Sequence, residues 1–158
     1  MLTAERLRHL LRYDPETGQF WWRYPRSGIN INREAGYLSQ INYRMIRVDQ
    51  KLYLAHRLAY LYMTGEWPSE EVDHIDVDPS NNRWSNLRAA TRQQNQANTG
   101  ARSPLGMKGV SRKRGRYRAR ISIDGKQVQL GTFATPEEAR AAYVAAAQEH
   151  FGEFARVA

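Results

Sequence analysis

The sequence predicts an α+β fold, and three observations carry that prediction. Arg116 to Ile123 alternates with a period of two and runs into Asp124-Gly125, a strong two-residue hairpin turn. Thr135-Pro136-Glu137-Glu138 then opens a helix, with a capping threonine, proline in the first position and glutamate in the third. Further upstream, Leu58, Leu61 and Tyr62 share one face of a helix over 55–64, and Gly65 stands where a C-cap is needed.

Taken in order, Thr3 caps a short helix with Leu7, Leu10 and Leu11 as its apolar stripe. The turn formers Asp14-Pro15-Glu16-Thr17-Gly18 end it, and Gln19 to Arg23 reads as a strand. Tyr43 to Val48 and Lys51 to Leu54 form a hairpin across Asp49-Gln50. After the helix over 55–64, Pro68 prevents continuation. Val72-Asp73-His74-Ile75-Asp76 and a polar loop to Ser85 follow, and Thr91 caps a helix through Asn98. Gly100, Ser103, Pro104 and Gly106 mark residues 100–107 as a linker. Lys108 to Lys113, Arg116 to Ile123 and Gln127 to Phe133 form a three-stranded antiparallel sheet. Ala139, Ala142, Tyr143, Ala146 and Ala147 give the last helix a small-residue face that packs close to it.

At 158 residues with a net charge of +8, the chain favours a polyanionic partner. No apolar run approaches the twenty residues of a membrane span, and Met1 to Arg6 has no signal-peptide pattern. The expectation is an intracellular protein, cytoplasmic in its host and without a membrane partner. There is no cysteine, so no disulfide and no zinc-thiolate site can form. Residues 1–100 carry 13 Lys+Arg against 11 Asp+Glu, whereas residues 101–158 carry 11 against 5. Eight basic residues and no acid lie between Arg102 and Arg120. The competing reading of such a run is a solvated face or a tail, but this one continues into a patterned strand.

Asp73 and His74 are adjacent, Asn86 stands thirteen positions after the aspartate, and Asn95 nine further on. Phosphodiester hydrolysis needs an activated water, a Lewis acid and fixed geometry. His74 is a candidate base near pH 7. Asp73 and the Asn95 amide oxygen are hard ligands suited to Mg²⁺ or Mn²⁺, and Asn86 is suited to holding the loop. Neighbours on a strand point to opposite faces, so Asp73 and His74 serve one site only if the strand ends or twists there. His56 has a supporting or capping role as its first reading and phosphate contact as its second. Arg57, Arg83, Arg88 and Arg92 are candidates to hold phosphates, with a plain surface role as the alternative.

On the C-terminal strand, Tyr117, Ala119, Ile121 and Ile123 share one face, and Arg116, Arg118, Arg120 and Ser122 the other. Gln127 and Gln129 share a face of the next strand. A sheet face of Arg and Gln has donors for phosphates and base edges in a major groove.

Two resemblances follow from these residues. His56-Arg57-Leu58-Ala59, Val72 to Asp76, Asn81-Asn82-Arg83, Ser85 to Arg88 and Gln94-Asn95 resemble the HNH endonucleases, most of all the homing branch of phages and mobile introns. The resemblance implies a ββα-metal core over 55–99, with His74 as general base, Asn86 organising the loop, and Asp73 with Asn95 holding the metal. Many family members have His where Asn95 stands, and a neutral amide is the weaker ligand. Residues 108–154 resemble the plant ethylene-response-factor (Apetala-type) DNA-binding domain through Lys108-Gly109-Val110, the Arg-rich second strand, Leu130 to Phe133 and Glu137 to Tyr143, which implies such a domain over 108–158. Arg112, Arg114, Arg116, Arg118, Arg120, Gln127 and Gln129 are then the implied DNA contacts. Gln127 and Gln129 stand where the plant domains usually carry Arg and Trp.

The expectation is thus a metal-dependent endonuclease acting on double-stranded DNA at a preferred site and leaving 5′-phosphate and 3′-hydroxyl ends. Residues 1–54 form an N-terminal α/β segment that is a candidate for further DNA contacts. A monomer would nick, and a dimer would cut both strands. The rival expectations are a DNA-binding regulator with a decayed nuclease domain and an RNA-binding protein that stacks bases on its Tyr and Trp side chains.

Overall fold

A computed structural model describes residues 1–25, 28–101 and 103–156. Arg102, at the head of the basic run, and the last two residues of the expected C-terminal domain lie outside the described residues. The chain divides into two compact units, Met1–Ala89 and Ala90–Ala158. Both mix helix and sheet, and among the described residues no helix is long and apolar enough to cross a membrane.

The first unit begins with α1 (Ala4–Leu10), capped by the Thr3 hydroxyl, which accepts from Arg6 N. The helix is shorter than its apolar stripe suggests. Leu11 is extended (φ −125°, ψ 147°) and starts β1 (Leu11–Asp14), which pairs antiparallel with β2 (Gln19–Trp22) in the register Leu11↔Trp22 to Asp14↔Gln19. Leu11 is fully buried in the strand, and an apolar residue at this position also extends the helical stripe of Leu7 and Leu10. Local periodicity therefore could not separate helix from strand; pairing with the aromatic strand decides it.

β3 (Tyr37–Leu38), β4 (Arg44–Val48) and β5 (Lys51–Leu54) make a second sheet in the order β3-β4-β5. The two-residue β3 has no sequence signal of its own. At the β4–β5 turn Asp49 and Gln50 both adopt positive φ (44° and 65°), as a type I′ turn requires. The Asp49 carboxylate receives Arg6 Nε and Nη2, each at 3.1 Å.

α2 (Ala55–Thr64) follows directly and ends at Gly65 in the left-handed region (φ 88°), with Gly65 N bonding Leu61 O. Leu7, Leu11, Phe20, Ile46, Val48, Leu58 and Leu61 are the largest fully buried side chains of this unit. Burying each is worth roughly 1.5–3 kcal/mol. β6 (Glu71–His74) and β7 (Leu87–Ala90) form a two-stranded sheet that brackets the polar loop.

The second unit contains α3 (Arg92–Asn98), β8 (Val110–Lys113), β9 (Arg116–Ile123), β10 (Lys126–Phe133) and α4 (Pro136–Phe151). Capping boxes start both helices, Thr91/Gln94 on α3 and Thr135/Glu138 on α4. The sheet is antiparallel with β9 in the centre. β8 is shorter than expected because Gly109 has φ 72°; a Cβ there would sit 2.2 Å from the Tyr143 ring. α4 packs on the sheet through Ala139, Tyr143 and Ala147 against Ala119 and Ile121. Gln127 pairs with Ser122 and Gln129 with Arg120, so these four share the face away from α4. A bulge between Gln129 and Gly131 then shifts the register.

Candidate active site

β6 ends at His74, and two buried side chains leave it in different directions. Asp73 (3% exposed) accepts Arg88 Nε and Nη2 from β7 on its Oδ2, both at 2.9 Å. His74 (6% exposed) places Nε2 3.3 Å from Asn82 Oδ1. Asn82 Nδ2 donates to Ser80 O at 3.1 Å, which orients the amide oxygen toward the imidazole. Nε2 is therefore the donor, and the imidazole lone pair is on Nδ1.

The His74 ring also packs edge-on against His56, with centroids 4.8 Å apart, and against Tyr43 at 6.0 Å. Tyr43 touches His56 as well, at 5.5 Å. His56 lies in the first turn of α2, is buried, and has no hydrogen-bond partner at Nδ1. Burial, helped by His74 and Arg57, pushes its pKa down to about 3, so this imidazole is neutral. Burial also holds the His74 pKa below its ordinary value. The Asn82 bond and the carboxylates of Asp76, Asp73 and Asp78 pull in the opposite direction.

The loop after β6 is closed by Asn86. Its Nδ2 donates to Asp76 Oδ1 and to Asn81 O, each at 2.9 Å, and its Oδ1 accepts Asp76 N at 3.0 Å. Asn81 Nδ2 adds a 2.6 Å bond to Asp76 Oδ2. Burial disfavours the charged Asp76 carboxylate, but the donors of Asn81, Asp78 N and Asn86 outweigh it and lower its pKa. Val77 is held at φ 67°, a conformation that β-branched residues rarely adopt. This network ties the loop to the strand end that carries His74.

Several supporting residues were not evident from sequence. Asn82 holds the His74 ring, and the β1–β2 hairpin holds Asn82. Tyr13 Oη donates to Asn82 O at 2.6 Å, Trp84 N donates to Pro15 O at 3.0 Å, and Gly18 has φ 76°. A Cβ on Gly18 would lie 2.4 Å from the Asn82 carbonyl carbon. Asn82 is 2% exposed, the mark of a buried amide with a structural task. Its Asn-Asn-Arg context was the available signal, but the partner sixty-nine residues upstream was not.

The other candidates are distributed as follows. Arg57 Nη1 donates to Glu70 O at 2.7 Å, which braces the segment entering β6. Arg83 is exposed, and Arg88 is committed to Asp73. Asn95 lies on α3 and so belongs to the second unit. There Arg116 and Arg120 reach Thr132 O (3.4 Å) and Gln127 Oε1 (3.2 Å), and Arg118 Nε is buried with no hydrogen-bond partner. Arg112 is paired with Tyr117 in the register and falls on the α4 side of the sheet; Arg114 sits in the β8–β9 turn with φ 50°.

The described residues contain no cluster of three or more His, Cys, Asp or Glu side chains that could hold a metal ion. The Asp73 carboxylate and the Asn95 amide oxygen are each donors of the kind a hard divalent ion takes.

The family model described as HNH endonuclease matches residues 53–97. The chain is also 37% identical over 128 residues to the "Uncharacterized HNH endonuclease L560" of Acanthamoeba polyphaga mimivirus; the match covers 79% of this chain and 67% of the viral protein. No solved structure matches the chain.

Proposed function

The chain belongs to the HNH endonuclease family, and from that premise we propose that it is a metal-dependent DNA endonuclease of the homing type, cutting duplex DNA at a preferred site. The family implies a DNA-cleaving hydrolase. The observation that carries the finer reading is the state of His74: buried, pKa lowered, Nε2–H directed to Asn82, ring braced by His56 and Tyr43.

A neutral imidazole with its lone pair on Nδ1 is ready to take a proton from an attacking water at neutral pH. Asn82 stabilises the imidazolium that results, because its oxygen accepts from the opposite nitrogen. Asn86 keeps the loop in register through Asp76 and Asn81. Asp73 and Asn95 would hold Mg²⁺ or Mn²⁺, which supplies Lewis acidity for the charge developing on the leaving 3′ oxygen. The products are then 5′-phosphate and 3′-hydroxyl ends. Arg116, Arg118, Arg120, Gln127 and Gln129 supply the contacts of an Apetala-like reading face, with phosphate-directed arginines beside glutamines that suit base edges. Arg112 and Arg114 reach DNA only from the rim of that face.

The test is cleavage of supercoiled plasmid and genomic DNA in Mg²⁺, Mn²⁺ or EDTA, with wild type beside His74→Ala. Metal-dependent cutting that falls at least ~100-fold in the variant is expected. Tight binding without cleavage in any metal, on DNA that includes the native neighbourhood, would replace this reading with that of a DNA-binding regulator.

A further inference from the structure

The β1–β2 hairpin presents two different faces. Leu11, Tyr13 and Phe20 point inward and are buried. The register pairs Arg12 with Trp21, and alternation places both on the outward face. There the Arg12 guanidinium lies over the Trp21 ring, 4.6 Å from its centroid. The chain leaving β2 adds Arg23 and Tyr24. Arg23 Nε donates to Arg8 O at 2.9 Å and to Leu11 O at 3.3 Å, which fixes the direction of its guanidinium. Tyr24 is 54% exposed, with its ring 5.5 Å from that of His9. Among the described residues, Arg12, Trp21, Trp22, Arg23, Tyr24 and Ile31 line an open cleft of about 360 Å³. That lining holds three aromatic side chains and two cations, and no carboxylate. Asp14, two positions beyond Arg12, spends its carboxylate on the hairpin turn, where it accepts Glu16 N at 2.9 Å.

A cleft of aromatic rings flanked by arginines suits a ligand that is both flat and anionic. A nucleobase on its phosphate backbone has both properties, and unpaired bases are held by stacking on aromatic rings and guanidinium planes. Paired bases present only their edges in the grooves, so a duplex offers such a cleft no ring face. We propose that this cleft stacks an unpaired base of the DNA substrate, with Arg12 and Arg23 meeting the adjoining phosphates. The inference rests on DNA as the substrate and gives residues 1–54 a single-strand contact. The same hairpin bonds Asn82 O through Tyr13 Oη. The cleft and the support of His74 therefore belong to one compact unit, and the strand is gripped by the element that also steadies the candidate general base.

The experiment measures the affinity of the full chain, in EDTA, for four labelled probes of equal length: oligothymidylate, an abasic oligomer with the same phosphates, a DNA duplex and oligouridylate. Wild type is compared with Trp21→Ala and Trp21→Phe. Trp21→Ala should weaken oligothymidylate binding about 5–150-fold, the loss expected for one stacked base. Its affinity for the abasic oligomer and the duplex should stay within about 2-fold, because phosphates carry those contacts. Trp21→Phe, which keeps a ring, should recover most of the loss. Unchanged oligothymidylate affinity in Trp21→Ala would overturn the inference, and so would an equal loss on the abasic oligomer. A wild-type preference for oligouridylate that disappears in Trp21→Ala would overturn it in favour of RNA. If Trp21→Ala does not fold, Tyr24→Ala, at an exposed ring of the same cleft, is judged by the same readings. In each of these outcomes, plasmid cleavage by wild type in Mg²⁺ leaves the nuclease reading standing. A wild type that binds none of the DNA probes and cuts no plasmid removes both.

Discussion

Replacing Arg88 by methionine removes the guanidinium from Asp73 and keeps most of the apolar stem. The pair is largely shielded from water: the Arg88 side chain is 13% exposed and that of Asp73 3%. Deleting one partner of such a pair leaves a charge out of water, at a cost of about 3–5 kcal/mol. For a unit the size of Met1–Ala89, 1 kcal/mol shifts Tm by about 4–8 °C. The variant should therefore melt at least ~12 °C below wild type, measured by circular dichroism in EDTA. Arg6→Met breaks the exposed pair with Asp49, in which the side chains are 49% and 45% exposed. That variant serves as the control and should melt close to wild type. The same variant tests Asp73 as a metal ligand. With the competing cation gone, 10 mM Mg²⁺ acting on a site of ~1 mM affinity would return about 1.4 kcal/mol, and wild type should respond less. A Tm within about 4 °C of wild type would refute the buried-charge reasoning. A full loss of stability with no response to Mg²⁺ or Mn²⁺ would remove Asp73 from the metal site.

Three further outcomes are expected. The pKa of His56 falls from an ordinary 6.5 to about 3 on folding. The unfolded chain therefore binds the proton first, and stability is intact above pH 6.5 and is lost as pH falls toward 3, by about 1.4 kcal/mol per pH unit. His56→Phe should flatten that loss in urea titrations between pH 7 and 4.5, and an unchanged slope would contradict it. Gly18→Ala should cost at least ~1 kcal/mol and slow cleavage while DNA affinity holds, because its methyl group would displace the Asn82 backbone behind His74; normal cleavage kinetics would show that Asn82 does not depend on the hairpin. Arg120→Ala should weaken duplex binding and reduce the slope of log affinity against log salt by about 1. An unaltered slope would take Arg120 off the DNA.

What the sequence determined by itself was whatever short-range chemistry encodes. The alternation of Arg116 to Ile123, the Asp124-Gly125 turn and the threonine-led capping boxes act within a few residues, and the corresponding elements stand where those signals lie. Asp73, His74 and Asn86 could be read as a candidate set because the spacing of their motif is local, and the family match over 53–97 spans the same residues. The tertiary structure decided the rest. Leu11 turned out to be a strand residue because Trp22 pairs with it. Arg88 proved to be the partner of Asp73, and Asn82 the partner of His74 with Tyr13 behind it. α3 joined the C-terminal unit through Lys108 and Gln93. Each of these choices sets one buried polar or apolar group against another that is distant along the chain, or of unpredictable direction. Their energies come from desolvation and pairing, which no local window of residues contains.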